Sequence, residues 1–113
     1  MATRFSVNQA VKERSTCVIT VSFTDESGAA VTPTEVTWTL TDAAGTVING
    51  REDESVTPAS EVDIVLKGDD LALPENTTSL RLLTVEATYN STYGSGLPLK
   101  DCCRFYVENL PSV

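Results

Sequence analysis

The side chains of this chain that could do chemistry are two acidic runs, Glu52-Asp53-Glu54 and Asp69-Asp70, three thiols at Cys17, Cys102 and Cys103, and a handful of aromatic rings. Paired carboxylates can act as acid and base in glycoside hydrolysis, or as oxygen ligands for calcium. The spacing supports neither. The alternating acidic loop of an EF-hand is missing, and acidic runs in the loops of an acidic chain are expected to be solvated surface. The sequence contains no histidine. That removes the commonest general base near neutral pH, the commonest metal ligand and every Ser-His-acid or Cys-His nucleophile. Gly68, Gly94 and Gly96 are the glycines a phosphate loop could use, and none is followed by the Lys-Ser/Thr pair or the helix such a loop requires. The chain is therefore expected to be non-enzymatic, with no cofactor and no bound metal.

The three cysteines are odd in number and too few for the disulfide framework of a small secreted domain. Neighbours in a strand point to opposite faces, so Cys103 is expected to pack as a small hydrophobe and Cys102 to face outward. Three states follow from the residues: free thiols, the favoured one; a bridge between Cys17 and Cys103 across the core; or a bond from Cys102 to a neighbouring subunit. Trp38 sits mid-strand on an apolar face, where an indole is expected to fill the core. Tyr89 and Phe105 are placed in the core as well. Tyr93 and Tyr106, with Cys102, are the interface candidates, because exposed tyrosines bury well at contacts. Asn76-Thr77-Thr78 and Asn90-Ser91-Thr92 match glycosylation acceptors and are taken as ordinary loop residues.

Eight basic against sixteen acidic residues give a formal charge of -8. Such a balance repels the phosphates of nucleic acid and of anionic lipid, so neither nucleic acid nor membrane is expected as a partner. The segment Met1-Ala2-Thr3-Arg4-Phe5-Ser6-Val7-Asn8 has no apolar run of signal-peptide length, which predicts synthesis in the cytoplasm without a signal.

The elements that must carry these residues are strands. In residues 16–24, Cys17, Ile19, Val21 and Phe23 share one parity and hydroxyl side chains occupy most of the other, until Asp25-Glu26-Ser27-Gly28 turns the chain. Val36, Trp38 and Leu40 alternate with threonines in residues 35–41, followed by a hairpin at Asp42-Ala43-Ala44-Gly45 and a returning strand over residues 46–50. An irregular edge is expected around Val56 and Pro58. Val62, Ile64 and Leu66 mark a strand over residues 61–66. Residues 67–79 form a crossing loop whose Leu71 and Leu73 cap the core. Leu83, Val85, Ala87 and Tyr89 give one face of a strand over residues 80–88. After the loop at residues 90–96, Leu97, Leu99, Cys103, Phe105 and Val107 give the core face of a last strand over residues 97–108.

The predicted core is thus Ile19, Val21, Phe23, Val36, Trp38, Leu40, Val62, Ile64, Leu66, Leu83, Val85, Phe105 and Val107. Short strands at regular spacing without helices point to one domain over residues 1–113. The fold class is all-β, an immunoglobulin-like (fibronectin III-like) antiparallel sandwich of about seven strands.

Several segments carry a resemblance. Asp25-Glu26-Ser27-Gly28, then Val36-Thr37-Trp38-Thr39-Leu40-Thr41-Asp42 with a glycine soon after, Gly68-Asp69-Asp70-Leu71, Tyr89-Asn90-Ser91, and Leu97-Pro98-Leu99-Lys100 leading to Phe105-Tyr106-Val107-Glu108 resemble the small immunoglobulin-like virion proteins of tailed bacteriophages. The similarity of pattern spans nearly the whole chain. It implies a virion structural subunit present in many copies, as capsid decoration, at the neck or head-tail joint, or in the tail. Its partners would be capsid, neck or tail proteins and copies of itself, and no catalytic or cofactor residues come with it. The adjacent cysteines depart from the pattern. A phage subunit is released by lysis and needs no export signal, in keeping with the N-terminus. The alternative is a carbohydrate- or cell-surface-binding module of a secreted bacterial protein, which would need an exposed aromatic platform from Tyr93, Tyr106 or Trp38.

Overall fold

Alternating apolar and polar residues bury one side of a strand and wet the other, so strands of this kind must press their apolar sides together. The computed structural model describes residues 2–7, 11–73 and 80–109. It holds seven strands, β1 (Ala2–Val7), β2 (Thr16–Thr24), β3 (Glu35–Asp42), β4 (Glu54–Val56), β5 (Glu61–Lys67), β6 (Leu80–Ser91) and β7 (Gly94–Tyr106), with a 3-10 turn at Gly68–Leu71. Two antiparallel sheets form, of order β1-β2-β5 and β4-β3-β6-β7. The protein is a β-sandwich, and among the described residues there is no α-helix.

The inner faces make one core. Every predicted core residue is buried, from Ile19 on β2 to Phe105 and Val107 at the end of the chain, and Val11, Leu71, Ala87, Tyr89 and Leu99 join them. Trp38 is 7% exposed and takes the core position expected of it.

Two loops solve the same local problem in the same way. Asp25 Oδ1 accepts the N–H groups of Ser27 and Ala29, the Asp25 N–H donates to Ala29 O at 2.8 Å, and Gly28 at φ 86° completes the turn. Asp42 repeats this on Ala44, Thr46 and Gly45 at φ 89°. A carboxylate collects the amides a three-residue reversal leaves over, and a glycine takes the left-handed conformation that would strain another residue.

The structure corrects three expectations. The predicted returning strand at residues 46–50 is reduced to an isolated bridge between Thr41 and Val47, because Asn49 and Gly50 adopt positive φ and turn the chain before β4. An N-terminal strand, β1, pairs with β2 from Ala2↔Thr24 to Val7↔Ile19 where none was anticipated. The loop between β6 and β7 is shorter than residues 90–96, since Ser91 already pairs with Gly94 and only Thr92 and Tyr93 lie at its tip.

Leu40 is fully buried on β3. Leu40→Ala is expected to lower unfolding free energy by about 3 kcal/mol through lost transfer energy and a residual cavity, as read from the shift of a urea unfolding midpoint.

Candidate interaction surface

Of the two acidic runs, Glu54, Asp69 and Asp70 have side-chain partners, while Glu52 and Asp53 are exposed. Asp70, expected to be solvated, is instead 0% exposed. Its Oδ1 accepts Arg51 Nε at 2.8 Å and Asn49 Nδ2 at 2.9 Å, and its Oδ2 accepts the Lys67 N–H at 3.1 Å. Arg51 also donates to Glu54 Oε1 at 3.0 Å and lies 5.9 Å above the centre of the Trp38 ring, within cation–π range. Asp69 pairs with Arg14 at 3.1 Å on the surface. The cluster fastens the segment before β4, on the four-stranded sheet, to the turn after β5, on the three-stranded sheet. It is a clasp between layers.

Burial disfavours the Asp70 carboxylate, but the hydrogen bonds from Arg51, Asn49 and the Lys67 amide outweigh it and hold the carboxyl below its ordinary pKa. A carboxyl with a depressed folded-state pKa contributes stability that is present above the unfolded value, about 3.9, and is lost as the pH falls through the folded one. Asp70→Asn is expected to cost about 2–3 kcal/mol at neutral pH, by loss of a buried charged partner. It should also flatten the acid limb of the stability–pH curve, which denaturation at pH 2 to 7 would show.

The thiols divide as the strand parity requires. Cys17 and Cys103 are buried, Cys102 is exposed, and all three are free, so the bridge considered between Cys17 and Cys103 is not formed. Burial pushes the pKa of both inner thiols up, and for Cys103 the neighbouring Cys102, Cys17 and Asp101 push the same way. Protonated and enclosed, these two thiols act as core filling. A thiol-specific reagent at neutral pH is expected to label Cys102 alone in the native protein and all three cysteines in denaturant, as mass spectrometry would count.

With the charges accounted for, the open surface of interest lies where the β6–β7 hairpin meets the β2–β3 loop. Tyr93, at the hairpin tip, is 77% exposed. Ser91 Oγ donates to Glu26 Oε1 at 2.6 Å and also receives the Tyr93 N–H at 3.1 Å, so the two loops are tied together. Gly96 N–H donates to Asn90 Oδ1 at 2.9 Å and closes the hairpin. That bond engages the side chain of the Asn90-Ser91-Thr92 triplet, while Asn76 lies outside the described residues. Tyr89, Tyr93, Leu97, Pro98 and Glu26 line a shallow groove of about 440 Å³. Pro98 also borders a second depression of about 300 Å³ on the outer face of the four-stranded sheet, beside Glu35, Thr37, Glu86, Thr88 and Lys100. The two adjoin. Together they make a band of aromatic, proline and mixed-charge side chains running from the tip down the sheet.

Of the interface candidates, Tyr93 belongs to this band. Cys102 and Tyr106 lie farther along the outer face of β7, Tyr106 being 68% exposed beside Leu80 in the register. Tyr93 and Tyr106 are separated by the length of β7, about 40 Å at the rise of an extended strand. They do not form one platform, and the buried Trp38 cannot supply one. Glu26, Leu97 and Pro98 were not anticipated from the sequence, since what unites them is the approach of two loops far apart in the chain.

Fold and surface together define a class, an all-β sandwich with a consolidated interior and a shallow, mixed-polarity contact band. Comparison of the chain with protein-family models, with curated protein sequences and with solved structures finds no match.

Proposed function

We propose that this chain is a non-enzymatic, immunoglobulin-like structural subunit of a tailed-phage virion, in the head decoration, the neck or the tail. It works by packing against neighbouring virion subunits. The observation that carries the reading is where the chemistry-capable groups lie. Asp70 and two of the three thiols are buried, and Asp70 is hydrogen-bonded to a cation. Outside, beside Cys102, Tyr106 and surface carboxylates, lies the band from Tyr93 to Lys100, which is suited to protein contact. The strand order, with β1-β2-β5 facing β4-β3-β6-β7, and a buried tryptophan on β3 support the immunoglobulin-like class. The charge of -8 favours protein neighbours over nucleic acid. The buried Trp38 and the separated tyrosines count against the carbohydrate-binding alternative.

Mass spectrometry of purified particles produced from the genome that encodes the chain is expected to detect it at a stoichiometry of many copies per particle. Tyr93→Ala should reduce that stoichiometry without changing the melting temperature of the purified subunit. Particles devoid of the chain, or a copy number unaffected by loss of the whole band, would refute the reading.

A further inference from the structure

β5 is an edge strand, paired with β2 on one side, and the direction of each of its backbone groups can be assigned. Phe23 N–H donates to Ser60 O at 2.9 Å and Gly68 N–H to Ser15 O at 3.0 Å, in line with the register Thr16↔Lys67 through Ser22↔Glu61. Backbone groups in an antiparallel ladder face a given neighbour at alternate residues. Those of Ser60, Val62, Ile64, Leu66 and Gly68 therefore face β2, and the N–H and C=O groups of Glu61, Asp63 and Val65 face away from it. The outward N–H of Lys67 is already held by Asp70, leaving its C=O.

Two of the other edges, β4 and β7, carry features that keep one sheet from adding to another. β4 has three residues. β7 contains Pro98 and two glycines, and its Asp101 has the inner parity yet remains exposed. Beyond β7, Glu13 N–H donates to Glu108 O and Glu108 N–H to Val11 O, each at 2.8 Å, so a passing segment covers the end of that edge. β1 lies against β7 across the layers. β5 has no proline, no glycine and no inward charge, and its Val65 is 46% exposed beside half-buried Val18.

We propose that the free edge of β5 pairs with the same edge of a second copy of this chain, antiparallel about a two-fold axis at Ile64, to give one continuous sheet across the dimer. The strand reads Glu-Val-Asp-Ile-Val-Leu-Lys, with opposite charges at its two ends. Antiparallel self-pairing about Ile64 sets each Glu61 opposite a Lys67 and each Asp63 opposite a Val65. It keeps the charged parity on the outer face and the apolar parity on the core side, and it joins the outward amides and carbonyls of Asp63 to those of Val65. Moving the axis to Asp63 would set two aspartates directly opposite each other, a destabilising like-charge pair. The self-complementary patch is what a two-fold interface requires.

This inference deepens the reading of the chain as a packing subunit by naming one of its partners, but it is tested without the particle. Sedimentation equilibrium of the purified full chain under reducing conditions is expected to show a reversible monomer–dimer equilibrium. Lys67→Glu, which puts like charges at both ends of the ladder, should weaken association roughly tenfold. The exchange Glu61→Lys with Lys67→Glu should restore it. Thermal melts at a concentration where all variants are monomeric should coincide; should Lys67→Glu fail to fold, Glu61→Lys applies the same test from the other end. A chain that stays monomeric up to its solubility limit, or a dimer indifferent to the single change or not rescued by the exchange, would overturn the pairing. Absence of the chain from particles would instead strike the virion reading and leave the dimer standing.

Discussion

The carboxylate of Asp70 sits where two layers of sheet are joined by a few residues of chain, and its burial constrains much of what surrounds it. An ionised group at zero exposure is tolerable only when its oxygens are fully used. Asn49 and Arg51, from the segment before β4, and the Lys67 amide at the end of β5 supply that use. The requirement fixes the irregular segment between β3 and β4, which lacks a ladder of its own. It also sets the guanidinium over Trp38 and gives the 3-10 turn its place after β5. Loss of the clasp would leave β4, a strand of three residues, to its pairing with β3 and the packing of Val56 on the core.

Once the core and the clasp have taken most of the apolar side chains and Asp70, the outer surface is built from threonines, scattered charges and two tyrosines, Tyr93 and Tyr106. The two depressions described on it are open and shallow. The surface also has shape and exposed strand edges. The band carries charges of both signs, Glu26, Glu35 and Glu86 with Lys100, and mixed charge at a protein contact gives orientation more than raw affinity.

The fold was legible because period-two hydrophobicity is a local signal. Ile19, Val21 and Phe23, or Val36, Trp38 and Leu40, announce their burial within a few residues. The same parity could have found Arg81, which belongs to the series Leu83, Val85, Ala87 and Tyr89 and is 1% exposed, but its charge masked the pattern. Asp70 was not legible. Gly-Asp-Asp has the local character of a solvated turn, and the partner that changes its meaning is Arg51, nineteen residues earlier in a run that itself suggests surface. β1 escaped because two apolar residues on one parity make a faint alternation, and its pairing with β2 depends on the register the rest of the sheet imposes. The contact band was half legible: Tyr93 stands out as an aromatic in a polar loop, whereas Glu26 and Pro98 join it only through the meeting of distant loops.

The reversals at Asp25 and Asp42 are each closed from within, by one carboxylate at the first position and one glycine at the fourth. At the first tip Ser27 Oγ also donates to Asp25 Oδ1 at 2.7 Å and Glu26 accepts from Ser91, whereas at the second Ala43 and Ala44 offer the closure only backbone. Mutation can therefore rewrite the Ala43-Ala44 tip while the scaffold stays unchanged, and the Glu26-Ser27 tip only at the cost of those two bonds. Where a turn is closed by one carboxylate and the backbone alone, the side chains at its tip can change without the problem of folding having to be solved again.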